Sequence, residues 1–182
     1  MISEKETVRV SKFLSLVLRH QPETIGITLD KNGWTDVATL LQQMNKKGFN
    51  ISFGNLQYIV AANNKQRFAF NEDKTKIRAS QGHSVAVDLG LKPTPPPVIL
   101  HHGTSEKYIA SILQDGIEKR NRQQVHLSAE LETALQVGKR HGKPVILIVD
   151  AAAMQNDGFK FYLSENKVWL TDHVPAKYIK KQ

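Results

Sequence analysis

An arginine and a histidine stand side by side at the end of the first amphipathic segment, in the run Leu18-Arg19-His20. Arginine offers a planar, permanently charged fork for phosphate oxygens, and histidine exchanges a proton near neutral pH. Together the two side chains could hold a phosphate ester and protonate it. The alternative is structural, because basic side chains in the last turn of a helix complement the helix dipole.

A second basic group, Lys65-Gln66-Arg67-Phe68, lies at the start of a predicted hairpin. Cations on an exposed hairpin could contact the phosphates of a nucleic-acid backbone. A solvated strand end explains the same spacing equally well, so both interpretations stay open for this group.

The second half of the chain carries two histidine-containing runs. His101-His102-Gly103-Thr104 follows an apolar strand, and the run from Arg122 to Ser128 contains His126. Ring nitrogens, a closely approachable glycine backbone and hydroxyl groups suit an amide and a ribose. A structural histidine is the alternative for either run taken singly.

Several other chemistries do not fit the sequence. The run 138–144 has one residue too few between its glycines for a phosphate-binding loop, and Pro144 stands where Ser or Thr would bind magnesium. There is no GxGxxG motif for a Rossmann site. The absence of cysteine excludes a disulfide, a zinc ribbon and a thiol nucleophile. No HExxH motif is present, and His101 and His102 project differently from one strand, so we expect no metal.

The composition favours a nucleic-acid partner. Among 182 residues, 25 Lys and Arg stand against 17 Asp and Glu, which gives a formal net charge of +8. Such an excess of positive charge attracts polyanions. A merely basic surface is the alternative interpretation of the charge alone.

Hydropathy predicts a soluble, cytoplasmic monomer. No stretch approaches the roughly 18 apolar residues that cross a bilayer. The charged start of the chain, Met1 to Glu6, lacks the apolar stretch of a signal peptide. The lack of cysteine fits a reducing compartment, and no self-complementary stripe indicates an oligomer.

A capped amphipathic helix is predicted to carry the first basic pair. Ser3 and Glu6 have the spacing of a capping box, and apolar residues then recur on one helical face. Pro22 disfavours helical geometry in the residue before it, so this helix should end near Gln21.

Two more helices and a hairpin complete the first half. Thr35 or Asp36 can cap the second helix, and Ser52 begins the third. Two short extended runs within 67–78 are separated by a polar turn. Three short helices and a hairpin are the make-up of a winged-helix module, which we predict for residues 1–87.

A proline-rich linker is predicted over 88–97, because its prolines stay extended and cannot donate to a sheet ladder. Beyond it, the continuous apolar runs 98–100 and 145–149 are typical of buried strands. A capped helix is predicted from Ser105 to Gly116. The fold class is therefore α+β, with a second domain over 98–182.

Six runs together resemble the RNA 2′-phosphotransferase family in their order and spacing. The resemblance covers essentially the whole chain, and six ordered motifs are far more specific than any one. The runs are Leu18-Arg19-His20, Lys65-Gln66-Arg67-Phe68, Gln81-Gly82-His83-Ser84, His102-Gly103-Thr104, Val125-His126-Leu127-Ser128 and Val168-Trp169-Leu170-Thr171.

The resemblance implies an N-terminal winged-helix lobe and a C-terminal lobe like that of ADP-ribosyltransferases, which binds NAD as a co-substrate. Three motif positions frame NAD in the related transferases, and here they correspond to His102, His126 and Val168. The third is often a glutamate, so the valine departs from protein-modifying enzymes. The residues implied to surround the nicotinamide ribose are His102, Gly103, Thr104, His126 and Ser128.

The implied reaction has two steps. An internal RNA 2′-phosphate attacks the anomeric carbon of NAD and nicotinamide leaves, which gives an ADP-ribosylated RNA. The neighbouring ribose hydroxyl then attacks that phosphate and releases dephosphorylated RNA with ADP-ribose 1″,2″-cyclic phosphate. The implied partner is an RNA with a 2′-phosphate, such as a spliced transfer RNA.

The catalytic residues of the family correspond here to Arg19, His20, Arg67 and Arg122. Three arginines would clamp the phosphate, because phosphoryl transfer depends on positioning and on cations near the non-bridging oxygens. His20 would protonate the departing 2′-oxygen. Since these residues come from both halves of the chain, the resemblance implies a site in the cleft between the lobes.

Some assignments have alternatives. Arg120 and Arg140 are alternatives to Arg122 as the third arginine of the phosphate clamp. Arg140 and Lys143 could instead contact the NAD pyrophosphate or be solvated. Two other functions also stay open. One is an ADP-ribosyltransferase that caps phosphorylated nucleic-acid ends, and the other is a non-catalytic RNA-binding module.

Overall fold

The computed structural model describes residues 2–182, with only the backbone described at His141. The chain divides into two compact units, of which the first ends at Gly90 and the second begins at Leu91. Both units contain helices and strands, so the predicted α+β class is confirmed. Within residues 2–182 we find no helix with the length and apolar character that crossing a membrane requires.

Three helices form the first unit: α1 (Glu4–Arg19), α2 (Val37–Lys46) and α3 (Phe53–Ala61). Each begins after a side chain that accepts a backbone N–H, and these N-caps are Ser3, Asp36 and Ser52. Helix α1 ends at Arg19 with His20 as its C-cap, and a 3₁₀ helix (Pro22–Ile25) follows. The predicted caps and the helix end close to Pro22 are confirmed.

A three-stranded antiparallel sheet completes the first unit: β1 (Thr35–Asp36), β2 (Phe68–Phe70) and β3 (Lys76–Ala79), in the order β1-β3-β2. The predicted hairpin corresponds to β2 and β3. Strand β1 was not predicted, because two residues carry no periodicity and were interpreted only as a helix cap. The core lies between the helices and β3, where Leu14, Leu40, Leu56 and Ile77 are fully buried.

Eight strands build three small antiparallel sheets in the second unit. Their orders are β11-β7-β4, β6-β9-β8 and β10-β5. A bridge between His101 and Ser128 joins the first sheet to the second. The strands are β4 (Ile99–Ser105), β5 (Ile117–Glu118), β6 (Val125–Leu127), β7 (Pro144–Asp150), β8 (Tyr162–Leu163), β9 (Trp169–Thr171), β10 (His173–Val174) and β11 (Ile179–Lys181).

The helices of the second unit are α4 (Ile109–Asp115), α5 (Leu131–Gly138) and α6 (Ala151–Asn156), with 3₁₀ helices at Glu106–Tyr108, Lys139–His141 and Ala176–Tyr178. The prediction of a helix capped at Ser105 was wrong. Ser105 is the last residue of β4, it makes no capping hydrogen bond, and a 3₁₀ turn precedes α4. Strand β4 extends that far because β7 pairs with it over its whole length.

Part of the proline-rich segment packs on the second unit. The backbone N–H of Thr94 donates to the carbonyl oxygen of Phe161 at 2.8 Å, and Pro93 bridges to Tyr162. Proline can occupy this position because an isolated bridge, unlike a continuous strand, does not require its backbone to donate a hydrogen bond.

Gly103 lies where α5 crosses β4 at very short range. A Cβ atom at this position would stand 1.7 Å from the carbonyl oxygen of Ala134 and 2.9 Å from the backbone nitrogen of Gly138. A Cβ atom on Gly138 would in turn stand 2.9 Å from the carbonyl oxygen of Thr104. The two glycines therefore let the helix backbone rest directly on the strand.

We expect Gly103→Ala to destabilise the second unit, because its methyl group cannot fit without moving α5. Overpacking of this kind costs about 1–3 kcal/mol, and backbone displacement adds to it. Urea unfolding in a Trp34→Phe background, where Trp169 is the remaining tryptophan, would measure the change.

The matched control is Gly54→Ala in the first unit, measured in a Trp169→Phe background that keeps Trp34 as reporter. Its new methyl group would lie 3.8 Å from the hydroxyl oxygen of Ser52. Alanine favours helix, so this variant should be neutral or slightly stabilising. Equal stability of the Gly103 variant and the parent would show that α5 does not press on β4.

Candidate functional site

The end of α1 is closed by the segment that follows β3. The backbone N–H groups of Ser84 and Val85 donate to the carbonyl oxygen of Arg19 at 2.9 and 3.3 Å. The Nδ1 atom of His20 lies 2.9 Å from the hydroxyl oxygen of Ser84. A carbonyl at a helix end, which has no partner within the helix, is thus satisfied. The same segment holds the ring of His20 in place.

The hairpin brings Arg67 to the other end of this segment. The N–H of Ser80 donates to the carbonyl oxygen of Arg67 at 2.9 Å, and Nη1 of Arg67 donates to the side-chain oxygen of Asn63 at 3.3 Å. Ser80 and Ser84 are four Cα steps apart, so the anchors of Arg67 and Arg19 lie within about 15 Å of each other. Three of the four predicted catalytic residues therefore belong to one region of the first unit.

His83 is the buried member of this segment, with 2% of its surface exposed. Burial lowers its pKa to about 4, and the nearby charges of Arg19, His20 and Arg78 act in the same direction. Its Nε2 atom faces Gly33 and has no hydrogen-bond partner among the residues that the structure describes. His83 is therefore neutral at pH 7 beside groups that carry positive charge.

Strands β4 and β6 bring two histidines together in the second unit. The Nδ1 atom of His102 lies 3.1 Å from the carbonyl oxygen of His126. The Nη1 atom of Arg122 lies 2.5 Å from Nδ1 of His126. Hydrogen bonds thus link three predicted site residues in series, from Arg122 to His126 and from His126 to His102.

These contacts set which ring nitrogen carries the proton when each histidine is neutral. A carbonyl oxygen only accepts, so Nδ1 of His102 carries the proton and its Nε2 is an acceptor. A guanidinium only donates, so Nδ1 of His126 is unprotonated and its Nε2 carries the proton. The pair therefore offers one acceptor and one donor, a combination suited to hydroxyl and amide groups.

Ser128 reaches the same strands through its backbone. It exchanges hydrogen bonds with His101 at 2.7 and 2.9 Å. Its hydroxyl donates to the carbonyl oxygen of Glu130 and accepts from the N–H of Glu130. With its proton engaged, this hydroxyl can only accept from a ligand.

Gly103 and Thr104 have a different environment from the two histidines. Both are buried, and the side of Gly103 where a Cβ would project is filled by α5. His102 and Ser128 are half-buried. The roles of all five residues in binding NAD stay predictions.

The surroundings of Arg122 differ from those of Arg120 and Arg140, the two alternatives for the third catalytic arginine. Arg120 stacks on Tyr108, with its guanidinium carbon 4.8 Å from the ring centroid. Loss of hydration and the charge of Arg140 lower the pKa of Arg122, although arginine remains charged at neutral pH. Arg122 is the one of the three with a described hydrogen bond to a predicted site histidine.

Sequence reasoning gave no role to His83 or Ser84, although both stand in one of the six motifs. The signal in the sequence was the run Gln81-Gly82-His83-Ser84 itself, which follows the predicted hairpin and has no predicted helix or strand of its own. The fold shows that this run links the anchors of Arg67 and Arg19.

Comparison with known proteins identifies the family. Residues 5–173 match the model of the RNA 2′-phosphotransferase, Tpt1 / KptA family. The chain belongs to this family. The resemblance inferred from the six motifs is thereby confirmed.

Bacterial members of the family align with nearly the full chain. A protein of Flavobacterium johnsoniae named probable RNA 2′-phosphotransferase is 57% identical over 178 residues, which are 98% of each chain. Proteins with the same name from Fusobacterium nucleatum and Agrobacterium fabrum are 56% and 55% identical. These alignments cover 95% and 93% of this chain, and 97% and 91% of the relatives.

We expect the stability of the first unit to fall as the pH drops from 6.5 towards 4. In this window the unfolded chain protonates His83 and the folded chain does not, since its pKa is about 4 against a usual 6.5. Unfolding then takes up a proton, which costs the fold at most about 3 kcal/mol. Urea unfolding of a Trp169→Phe variant, which keeps Trp34 as reporter, would measure this slope.

The variant His83→Gln should flatten the slope, and His173→Gln, which removes a histidine of the second unit, should leave it unchanged. An unaltered slope in His83→Gln would mean that the buried ring titrates like an exposed one.

Proposed function

We propose that this protein removes an internal 2′-phosphate from RNA with NAD as second substrate. The proposed route passes through an ADP-ribosylated RNA and ends with nicotinamide, dephosphorylated RNA and ADP-ribose 1″,2″-cyclic phosphate. The observation that carries the proposal is the family match over residues 5–173. The names of the relatives support a transferase that acts on RNA. The use of NAD and the two-step route rest on the resemblance of the motifs.

In this proposal the first unit handles the phosphate. Arg19 and Arg67 hold its non-bridging oxygens, where their charge stabilises the transition state. His20 delivers a proton to the 2′-oxygen of the departing RNA. Because Nδ1 of His20 faces Ser84, Nε2 is the nitrogen that donates this proton. Ser84 thus acts as a positioning residue.

The donor set of the second unit fits NAD. In their neutral forms, the acceptor nitrogen of His102 and the donor nitrogen of His126 complement ribose hydroxyls. Arg122 is the third arginine of the proposed clamp on the RNA 2′-phosphate. Bound NAD supplies an electrophilic anomeric carbon with nicotinamide as leaving group. The Arg122 hydrogen bond keeps His126 in the tautomer that donates through Nε2.

The architecture of each unit supports the same proposal. Three helices, with a short strand after the first and a hairpin after the third that together form one antiparallel sheet, fit a winged-helix lobe for RNA. The small antiparallel sheets of the second unit, with the histidines on β4 and β6, fit an ADP-ribosyltransferase-like lobe. Both assignments are part of the proposal.

The direct test is to incubate the protein with a short RNA that carries one internal 2′-phosphate, with and without NAD, and to resolve the products. We expect NAD-dependent loss of the phosphate and formation of ADP-ribose cyclic phosphate. A stable ADP-ribosylated RNA would instead favour an end-capping transferase. RNA binding without any product would favour a binding module.

The variant His20→Ala should accumulate ADP-ribosylated RNA, because its proton is needed when the RNA 2′-oxygen leaves. Quenched time courses with labelled RNA would detect the accumulated species. Loss of turnover without this species would place His20 in the first step instead.

The variant Ser84→Ala should lower kcat by roughly 2- to 10-fold and leave KM unchanged, since one hydrogen bond contributes about 0.5–1.5 kcal/mol. Ser84→Thr keeps the hydroxyl and should restore kcat. Ser15→Ala is the control, because that hydroxyl donates to the carbonyl oxygen of Ser11 on α1. A change confined to KM would argue against a positioning role.

A further inference from the structure

The solvent-facing side of α1 carries an open groove of about 570 Å³. Cations from successive turns of the helix line it, namely Lys5, Arg9 and Lys12. All three side chains are exposed, and none of the described residues that line the groove is acidic. The groove is therefore open and positively charged.

Aromatic rings form the floor of this groove. The rings of Phe13 and Phe49 stack with their centroids 4.4 Å apart, and the guanidinium carbon of Arg9 lies 4.6 Å from the centroid of Phe49. Leu16 continues the apolar floor towards the end of the helix. Cations beside aromatic rings are the combination with which proteins bind single-stranded nucleic acid.

The groove leads to the candidate phosphate site. With 3.6 residues per turn, Lys5, Arg9 and Lys12 fall on the helical face that also presents position 19 and position 20. At 1.5 Å per residue, Lys12 stands about 10 Å and Lys5 about 21 Å from Arg19 along the axis. The core residues Val10 and Leu14 lie on the opposite face.

We infer that the groove binds the single-stranded stretch of RNA on one side of the 2′-phosphate. The inference rests on the proposed function in that RNA is the substrate. Backbone phosphates lie beside Lys5, Arg9 and Lys12, and a base or sugar packs on the aromatic floor. Charge complementarity selects a polyanion, and the aromatic floor favours nucleic acid over an acidic peptide.

The nearby carboxylate of Glu6 offsets only part of this surface, although the hydrogen bonds of Ser3 and the charge of Arg9 lower its pKa. It accepts from the backbone N–H and the hydroxyl of Ser3 at 3.2 and 2.8 Å, as part of the helix cap. Glu6 is not among the residues that line the groove. The three cations therefore dominate the local charge.

The test compares two triple variants with the same change in charge. The groove variant is Lys5→Gln, Arg9→Gln and Lys12→Gln, and the control is Lys31→Gln, Lys46→Gln and Lys47→Gln, which are exposed residues of the first unit outside the groove and the hairpin. The probe is a labelled 20-nucleotide single-stranded RNA with one internal 2′-phosphate. Fluorescence anisotropy without NAD, across a range of salt concentrations, measures its affinity.

The groove variant should reduce the salt slope of log K by about 2, because each lost phosphate contact removes roughly 0.7. At physiological salt this corresponds to an affinity loss of roughly 10- to 100-fold. The control variant should keep the slope of the parent. Equal losses in the two variants, or no loss in the groove variant, would overturn the inference.

Turnover adds a second measurement. The groove variant should raise KM for the 20-nucleotide RNA while kcat, and turnover of a trinucleotide substrate, stay unchanged. If the parent shows no turnover, the proposed function fails while the binding experiment still decides the role of the groove. Loss of polyglutamate binding with retained RNA binding would assign the groove to an acidic protein and overturn the inference.

Discussion

The carbonyl oxygen of Arg19 has no partner within α1, and the N–H groups of Ser84 and Val85 supply one. This interaction holds the segment 80–84 against the helix end. At its other end, Ser80 is bonded to the backbone of Arg67. The carbonyl group at a helix end requires a hydrogen-bond partner, and this requirement brings the backbones of Arg19 and Arg67 into one region of the first unit.

In the second unit a comparable constraint is steric. Backbone contact between Gly103 and α5 leaves no room for a side chain, so the backbone of the helix rests directly on the strand. Strand β4 is thereby fixed on one side by α5 while it pairs with β7 along its length. On this strand, the Nδ1 atom of His102 lies 3.1 Å from the backbone carbonyl oxygen of His126.

Both units place a neutral imidazole near an arginine. Burial and the charges of Arg19 and His20 keep His83 unprotonated at pH 7, and Arg122 donates to an unprotonated nitrogen of His126. A neutral ring beside a guanidinium avoids the repulsion between two cations. A basic chain can thus gather several arginines in one region without a carboxylate to balance each of them.

The sequence by itself determined the features that depend on neighbouring residues. The N-caps Ser3 and Ser52, the helix end before Pro22 and the hairpin all follow from local hydrogen bonding and backbone geometry. The six ordered motifs were enough to identify the family. The proposed roles of their residues remain predictions that neither the fold nor the relatives' names test.

Only the tertiary structure decided which residues meet. Strand β1 exists because β3 lies beside it, and Ser105 belongs to a strand because β7 pairs with it. The contact of Arg122 with His126 distinguishes this arginine from Arg120, which lies two residues earlier in the chain and stacks on Tyr108. Strand pairing joins residues that are distant in sequence, and Arg120 and Arg122 differ in the direction of their side chains. Neither feature produces a periodic pattern from which the sequence could predict it.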